Sequence, residues 1–225
     1  MMVQEHTMPD NVGLFADRLG NALVAVSDAV ERFYPDVAVA MSWGKDSVAV
    51  LGLVRQLYPD FAVKVLFTDT GRKFPETYQH AKLVEYELGP VEVLTYSPDG
   101  PLQDCDTCRA WKVTAAVAAP KEFGIECLLV GIRGDEHEAR ASAGSGRLVD
   151  GVTRVHPIIS WTERDVWDYT HLRGLPVHPL YAQGYRSLGC MDPCTVRTPD
   201  GLPERAGRAQ DKEAVMGTLR GQGYW

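Results

Sequence analysis

Between Pro35-Asp36 and Ser42 the chain runs Val37-Ala38-Val39-Ala40-Met41, and directly afterwards Val48, Leu51 and Val54 recur at helical spacing up to Tyr58-Pro59. An unbroken apolar run between turn residues marks a strand buried on both faces, and a three-to-four-residue recurrence marks a helix with one apolar stripe. The same alternation continues along the chain. Leu14, Phe15, Leu19, Leu23, Val26, Val30 and Phe33 predict an opening amphipathic helix that covers the sheet. Ala62 to Phe67 reads as a second strand, Pro75 starts a helix running to about Leu88, and Val91 to Leu94 is a third strand. A helix over Arg109 to Phe123 and a strand over Glu126 to Gly131 follow. Small and polar Ala141 to Gly151 predicts a mobile loop, and Val155 to Ile159 a further strand. Thr162 and Asp165 fit a capping box that opens another helix, and Glu204 to Leu219 has helical composition. Strands alternating with helices predict an α/β fold: a doubly wound, mostly parallel sheet with helices on both faces. The core is expected over residues 1–173, with a loop-rich C-terminal segment over residues 174–225 completing the site.

Composition narrows the function classes. Lys+Arg 23 against Asp+Glu 30 gives 23 − 30 = −7, so the surface as a whole repels nucleic acid, and contact with DNA or RNA would need a local basic patch or a partner. The polar N-terminus and the lack of a long apolar run predict a cytoplasmic protein without a membrane span. In that compartment five cysteines are expected as ligands, catalysts or core residues rather than disulfides.

The candidate chemistry starts at Ser42-Trp43-Gly44-Lys45-Asp46-Ser47, which joins the first strand to its helix. A tight strand-to-helix loop aims free N–H groups and the positive end of the helix dipole at one spot, a cradle for phosphate. Gly44 lets the backbone approach an anion, Lys45 supplies a charge from a solvated loop, and Ser42 and Ser47 add hydroxyls. The plain alternative is a turn in which Asp46 caps the helix. Asp69-Thr70-Gly71 ends the second strand, where Asp69 and Thr70 would hold a ribose or a magnesium-bound water; the plain alternative is an Asx turn. Gly131-Ile132-Arg133-Gly134-Asp135-Glu136, with Arg140, puts two arginines and acidic residues after the fourth strand, an anion clamp or an exposed charged loop. Ser42, Thr68 and Gly131 should converge beyond the carboxyl ends of the strands. Cys105 with Cys108, and Cys190 with Cys194, form two pairs able to grip one metal centre, and Cys127 lies in an apolar strand. His156 and His178 read as packed or exposed imidazoles.

These motifs together resemble the ATP pyrophosphatases with a Ser-Gly-Gly-Lys-Asp-Ser loop, and within them the PAPS reductases and sulfate adenylyltransferase small subunits. Trp43 stands where that loop usually has its second glycine. The resemblance implies an adenine nucleotide alpha hydrolase-like fold, with ATP and Mg2+ as ligands. It places Ser42, Trp43, Gly44, Ser47, Asp69, Thr70, Gly71, Gly131, Asp135, Glu136, Arg205 and Arg208 at the nucleotide, and Lys45, Asp46, Arg133 and Arg140 at the reacting phosphates. Adenylylsulfate reductases hold a 4Fe-4S cluster by similar cysteines, although the spacings Cys-x-x-Cys and Cys-x-x-x-Cys depart from theirs. Reductases of this group also use a tail cysteine, whereas the last cysteine here is Cys194. The ending Glu204-Arg205-Ala206-Gly207-Arg208 with Gly223-Tyr224-Trp225 is similar to that of the adenylyltransferase small subunit. The expected function is cleavage of ATP to AMP and pyrophosphate to adenylate an acceptor for sulfur transfer, as in DNA phosphorothioation with a cysteine desulfurase. A sulfate adenylyltransferase small subunit, an adenylylsulfate or PAPS reductase and a non-enzymatic nucleotide sensor are the alternatives. A homo-oligomer is a further expectation.

Overall fold

Odd and even positions of the first strand face different layers, and this sets the architecture. In the computed structural model, which describes residues 10–137, 140, 144–191 and 193–210, β1 (Val37–Met41) pairs in parallel with β2 (Val63–Thr68) and β4 (Cys127–Val130). Val37, Val39 and Met41 point into one apolar layer, together with residues of α1 (Asp10–Phe33), α2 (Lys45–Leu57), α3 (Pro75–Glu87) and α5 (Glu163–Arg173). Ala38 and Ala40 point into a second layer that includes Ala119 of α4 (Cys105–Glu122). Burial on both faces explains why these strands read as unbroken apolar runs.

The sheet order is β3-β2-β1-β4-β6-β5, with β3 at Val91–Tyr96, β5 at Gly146–Val149 and β6 at Val152–Val155. Every pairing is parallel except β5 with β6. The chain winds outward from β1 through β2 to β3 and then crosses back to β4, so a topological switch point lies between the carboxyl ends of β1 and β4. The doubly wound α/β fold is therefore as expected from the alternation. No helix of the described residues is long and apolar enough to cross a membrane.

Four elements differ from the expectation. The stretch read as a mobile loop carries β5, and the strand expected over Val155 to Ile159 is instead β6, ending at Val155; residues 141–143 lie outside the described residues. Asp150 and Gly151 both have positive φ, 48° and 86°, the geometry of a two-residue hairpin turn whose twist suits the flanking strands. Pro157 lacks the N–H that would continue a ladder, and residues 156–161 close as turns instead. The fourth helix starts at Cys105 rather than Arg109, because Asp104 and Thr107 form a reciprocal cap: the Thr107 N–H donates to Asp104 Oδ1 at 2.8 Å and the Asp104 N–H to Thr107 Oγ1 at 3.2 Å. Finally, Glu204–Gly207 is one 3-10 turn, after which Arg208 bridges to Thr195. The Gly207 carbonyl accepts the Val196 N–H at 2.8 Å, which draws the backbone out of a helical path. Residues 211–225, including the rest of the predicted helix and the closing Gly-Tyr-Trp, lie outside the described residues.

Candidate functional site

The loop after β1 is held by its own hydroxyls. Ser47 Oγ donates to the Gly44 carbonyl at 3.0 Å, and Ser42 and Ser47 Oγ lie 3.2 Å apart. Gly44 is the N-cap of α2, with no side-chain hydrogen bond closing the cap. Asp46 is thus no cap; its Oδ1 accepts from Arg133 Nε at 2.6 Å. Gly131, following β4, brings the second loop against the first: a Cβ there would stand 2.8 Å from the Asp46 carbonyl. Trp43 adopts φ 64°, the left-handed conformation for which glycine is the usual residue. Its ring is buried against Phe67, centroids 5.8 Å apart, so Trp43 serves the core rather than the ligand.

Behind the loop lies a buried ion-pair network. Lys45, expected in a solvated loop, is 5% exposed. Its ammonium is bonded to Glu204, to the Arg186 carbonyl at 3.1 Å and to Asp46 at 3.3 Å. Burial works against the charge, but Asp46, Tyr181 and Glu204 outweigh it and leave Lys45 above its ordinary value. Arg133 is fully buried and bonded to Asp46, Asp135 and Glu204. Arg140 and Arg205 both reach Glu136, the latter at 3.3 Å. Burial alone would raise Glu136; Arg140, Arg205 and Arg133 overcome it and push the carboxyl down to about 2.

In front of the loop, at the switch point, is a cavity of about 230 Å³. Ser42, Thr68 and Gly131 line it together, the convergence expected from the strand ends. Gly44, Asp46, Ser47, Glu136, Arg140, Arg205 and Arg208 of the predicted set also reach it. Lys73, Lys112 and Tyr181 line it too, none of which sequence reasoning singled out as functional. Lys73 and Lys112 are legible only as one position of the second-strand motif and one helical repeat past Cys108. Among the described residues, Trp43, Lys45, Asp69, Thr70, Gly71, Arg133 and Asp135 are outside the cavity wall. Asp69 makes the Asx turn, accepting from the Gly71 N–H at 2.9 Å, and also accepts from Tyr78 at 3.0 Å. Asp135 accepts the Glu163 N–H at 2.9 Å, at the start of α5.

The two cysteine pairs meet at the N-terminus of α4. Cys108 and Cys190 are free thiols with Sγ atoms 3.6 Å apart. Thr70 Oγ1 lies 3.2 Å from Cys190 Sγ, and Lys112 donates to it at 3.0 Å. The Cys108 hydrogen bond and the Lys112 and Lys73 charges push Cys190 down to about 3, against the effect of burial. Cys105 and Cys194 form a disulfide, contrary to the expectation of none, because the α4 cap and the loop before Cys194 bring their Cα atoms to 6.2 Å. Cys105, Cys108 and Cys194 border one small cleft. Of the four cysteines in the two pairs, only Cys108 and Cys190 offer free thiols side by side, with Lys112 beside them. Cys127 is a core residue of β4, as expected.

The family profile described as "Phosphoadenosine phosphosulfate reductase domain" matches residues 36–197. The chain belongs to this family. It is 31% identical over 230 residues to an adenosine 5′-phosphosulfate reductase of Streptomyces coelicolor, covering 92% of this chain and 93% of that one. An adenosine 5′-phosphosulfate reductase of Mycolicibacterium smegmatis is 33% identical over 162 residues, 65% of this chain and 67% of the relative. Phosphoadenosine 5′-phosphosulfate reductases of Xylella fastidiosa match over 65% of their length or less, so the chain spans under two-thirds of those relatives. Among solved structures, a phosphoadenylyl-sulfate reductase of Candida auris in phosphate complex superposes with TM-score 0.59 at 20% identity, over 84% of this chain and 96% of that one. The FMN adenylyltransferase of Candida glabrata with ATP gives 0.64 at 14%, over 89% and 71%. The U34-tRNA thiolase of Methanococcus maripaludis with its [4Fe-4S] cluster gives 0.54 at 14%, over 93% and 76%. These likenesses show a shared fold, and the family places the chain in sulfur metabolism.

Proposed function

We propose that this protein acts on an adenylylated sulfate, releasing the nucleotide and reducing the sulfur it carries. The observation carrying this reading is that one cavity borders both the loop Ser42–Ser47 and Lys112, whose ammonium reaches Cys190. Adenylate lies over the switch point. Its phosphate meets the Ser42 and Ser47 hydroxyls and Arg140, Arg205 and Arg208, while the sulfate extends toward Lys73 and Lys112. Cations placed around the bridging oxygen stabilise the charge that grows there as the sulfur–oxygen bond breaks. One thiolate of an external dithiol attacks the sulfate sulfur, the sulfur–oxygen bond breaks and AMP or its 3′-phosphate leaves. The dithiol's second thiolate then attacks the thiol sulfur that carries the sulfo group, forming a disulfide and releasing sulfite. The two electrons come from that dithiol. Cys105, Cys108, Cys190 and Cys194, once reduced, would hold an iron–sulfur cluster, which would fix the first turn of α4 and the Cys190 loop around Lys112. Lys112 orients both, since it touches a cysteine and the cavity.

The ATP-cleaving reading, with a cysteine desulfurase as sulfur donor, keeps one specific support. Oxygens of Asp46, Glu136 and Glu204 lie within 4.8 Å of one another, as a divalent cation would need. Incubation with adenylylsulfate, PAPS or MgATP in the presence of a dithiol separates the two. AMP or adenosine 3′,5′-bisphosphate with sulfite is the expected product; AMP and pyrophosphate from MgATP, without sulfite from either sulfated nucleotide, would overturn the proposal.

A further inference from the structure

The donors that a phosphate loop offers are already engaged by this chain's own C-terminal segment. The N–H of Lys45, the first residue of α2, donates to the Tyr181 hydroxyl at 2.8 Å. That hydroxyl would also stand 3.2 Å from a Cβ on Gly44. The Lys45 ammonium and the Arg133 guanidinium each bind one oxygen of Glu204, and Asp46 accepts from both cations. Lys45 and Arg133 face three carboxylates, Asp46, Asp135 and Glu204, so the two cations have no surplus positive charge to offer a phosphate. Glu204 is 8% exposed, and Tyr181 is half-buried in its own 3-10 turn, Tyr181–Gln183.

We propose that Tyr181 and Glu204 are specificity-determining residues that fill the polyphosphate subsite of the loop, so that the site takes a nucleotide with a two-unit anhydride and rejects the triphosphate. This rests on the reading of the substrate as an adenylylated sulfate. The outer phosphates of ATP would meet the Glu204 carboxylate in a region shielded from water, where like charges repel strongly. Expelling Glu204 would leave it desolvated or force its turn to open, and Tyr181 would have to surrender the helix N-terminus. An adenylylated sulfate needs neither displacement, because its second unit turns toward Lys73 and Lys112 in the cavity.

Calorimetric titration of the wild type, Glu204→Gln and Tyr181→Phe with MgATP and with adenylylsulfate tests the assignment. The wild type is expected to bind adenylylsulfate and reject MgATP. In each variant the ratio of the MgATP to the adenylylsulfate Kd is expected to fall by roughly ten-fold or more, the worth of one charge-assisted hydrogen bond regained. An unchanged ratio in variants that still melt cooperatively overturns the proposal, and so does a wild type that prefers MgATP. Tyr181→Phe decides alone if Glu204→Gln fails to fold, since it removes one hydroxyl and no charge. Variants that admit MgATP, from a wild type that forms no sulfite, would uphold the filled subsite and overturn the substrate reading. Sulfite production with an unchanged ratio would do the reverse.

Discussion

Trp43 shows two residue-scale effects in opposition. Its left-handed backbone costs about 1–2 kcal/mol relative to glycine, while its ring, 1% exposed, fills core space. Truncating a buried tryptophan costs about 3–5 kcal/mol, so packing outweighs strain. Trp43→Gly is expected to lower stability by roughly 2 kcal/mol despite matching the family's loop, read as a lower denaturant midpoint at unchanged slope; a higher midpoint would mean that strain dominates. Lys45 follows a different logic. Removing it leaves Glu204 and Asp46 to share Arg133 alone, one cation short in a buried network, and loss of one partner from such a network costs about 3–5 kcal/mol. Lys45→Ala is therefore expected to melt well below the wild type, and equal melting temperatures would show the ammonium to be solvated after all. The hexapeptide identified Lys45 as a loop residue; its burial was illegible because Glu204, 159 positions away in sequence, supplies the cover.

At the scale of elements, α3 and the loop before Tyr181 meet through two histidines. His80 and His178 have ring centroids 5.1 Å apart, His178 Nε2 lies 3.1 Å from Thr77 Oγ1, and His80 Nδ1 has no hydrogen-bond partner among the described residues. Burial pushes both imidazoles from 6.5 down to about 4, with each other's charge adding to the effect on His80. Because the folded values lie below the unfolded one, the unfolded chain binds more protons between these limits, and stability rises with pH there. Stability is expected to fall as pH drops from about 6.5 toward 4, by on the order of 3 kcal/mol per imidazole at full effect. His80→Leu should remove roughly half of that slope in denaturant melts across the window; an unaltered slope would assign the pH dependence to other groups. Helix positions were legible because each helix buries one face and so carries its period in the chain, and the central strands because burial on both faces leaves unbroken apolar runs. The β5–β6 hairpin was not: β5 alternates exposed with half-buried residues, and Asp150-Gly151, its one clear turn signal, sits among other small polar residues. The early start of α4 was hidden for a related reason, since Asp104 with Thr107 is a cap written in two polar residues with no apolar stripe to announce it.

Over the whole molecule, described residues beyond 174 line the cavity together with the strand ends. This segment supplies Tyr181, Arg205 and Arg208 to the cavity and Glu204 to the network behind it. Alongside its hydrogen bonds and ion pairs to the core, such as Tyr181 with Lys45 and Glu204 with Lys45 and Arg133, it has a covalent tie, the Cys105–Cys194 disulfide. That disulfide spans 89 positions and fastens the segment to the first turn of α4. In the chain-entropy account, a closed loop of this length stabilises by about 4–5 kcal/mol, and a metal centre on the same cysteines would constrain the chain likewise. Cys194→Ser is therefore expected to lower the melting temperature and, more tellingly, to loosen one region. Amide exchange should quicken over residues 181–208 while β1, β2 and β4, buried on both faces, keep their protection. Nucleotide affinity should weaken with it, because Arg205 and Arg208 lose their placement while Ser42 and Ser47 keep theirs. Uniformly faster exchange would show that the tie stabilises the fold as a whole, and unchanged exchange that the ion pairs of Glu204 hold the segment without it.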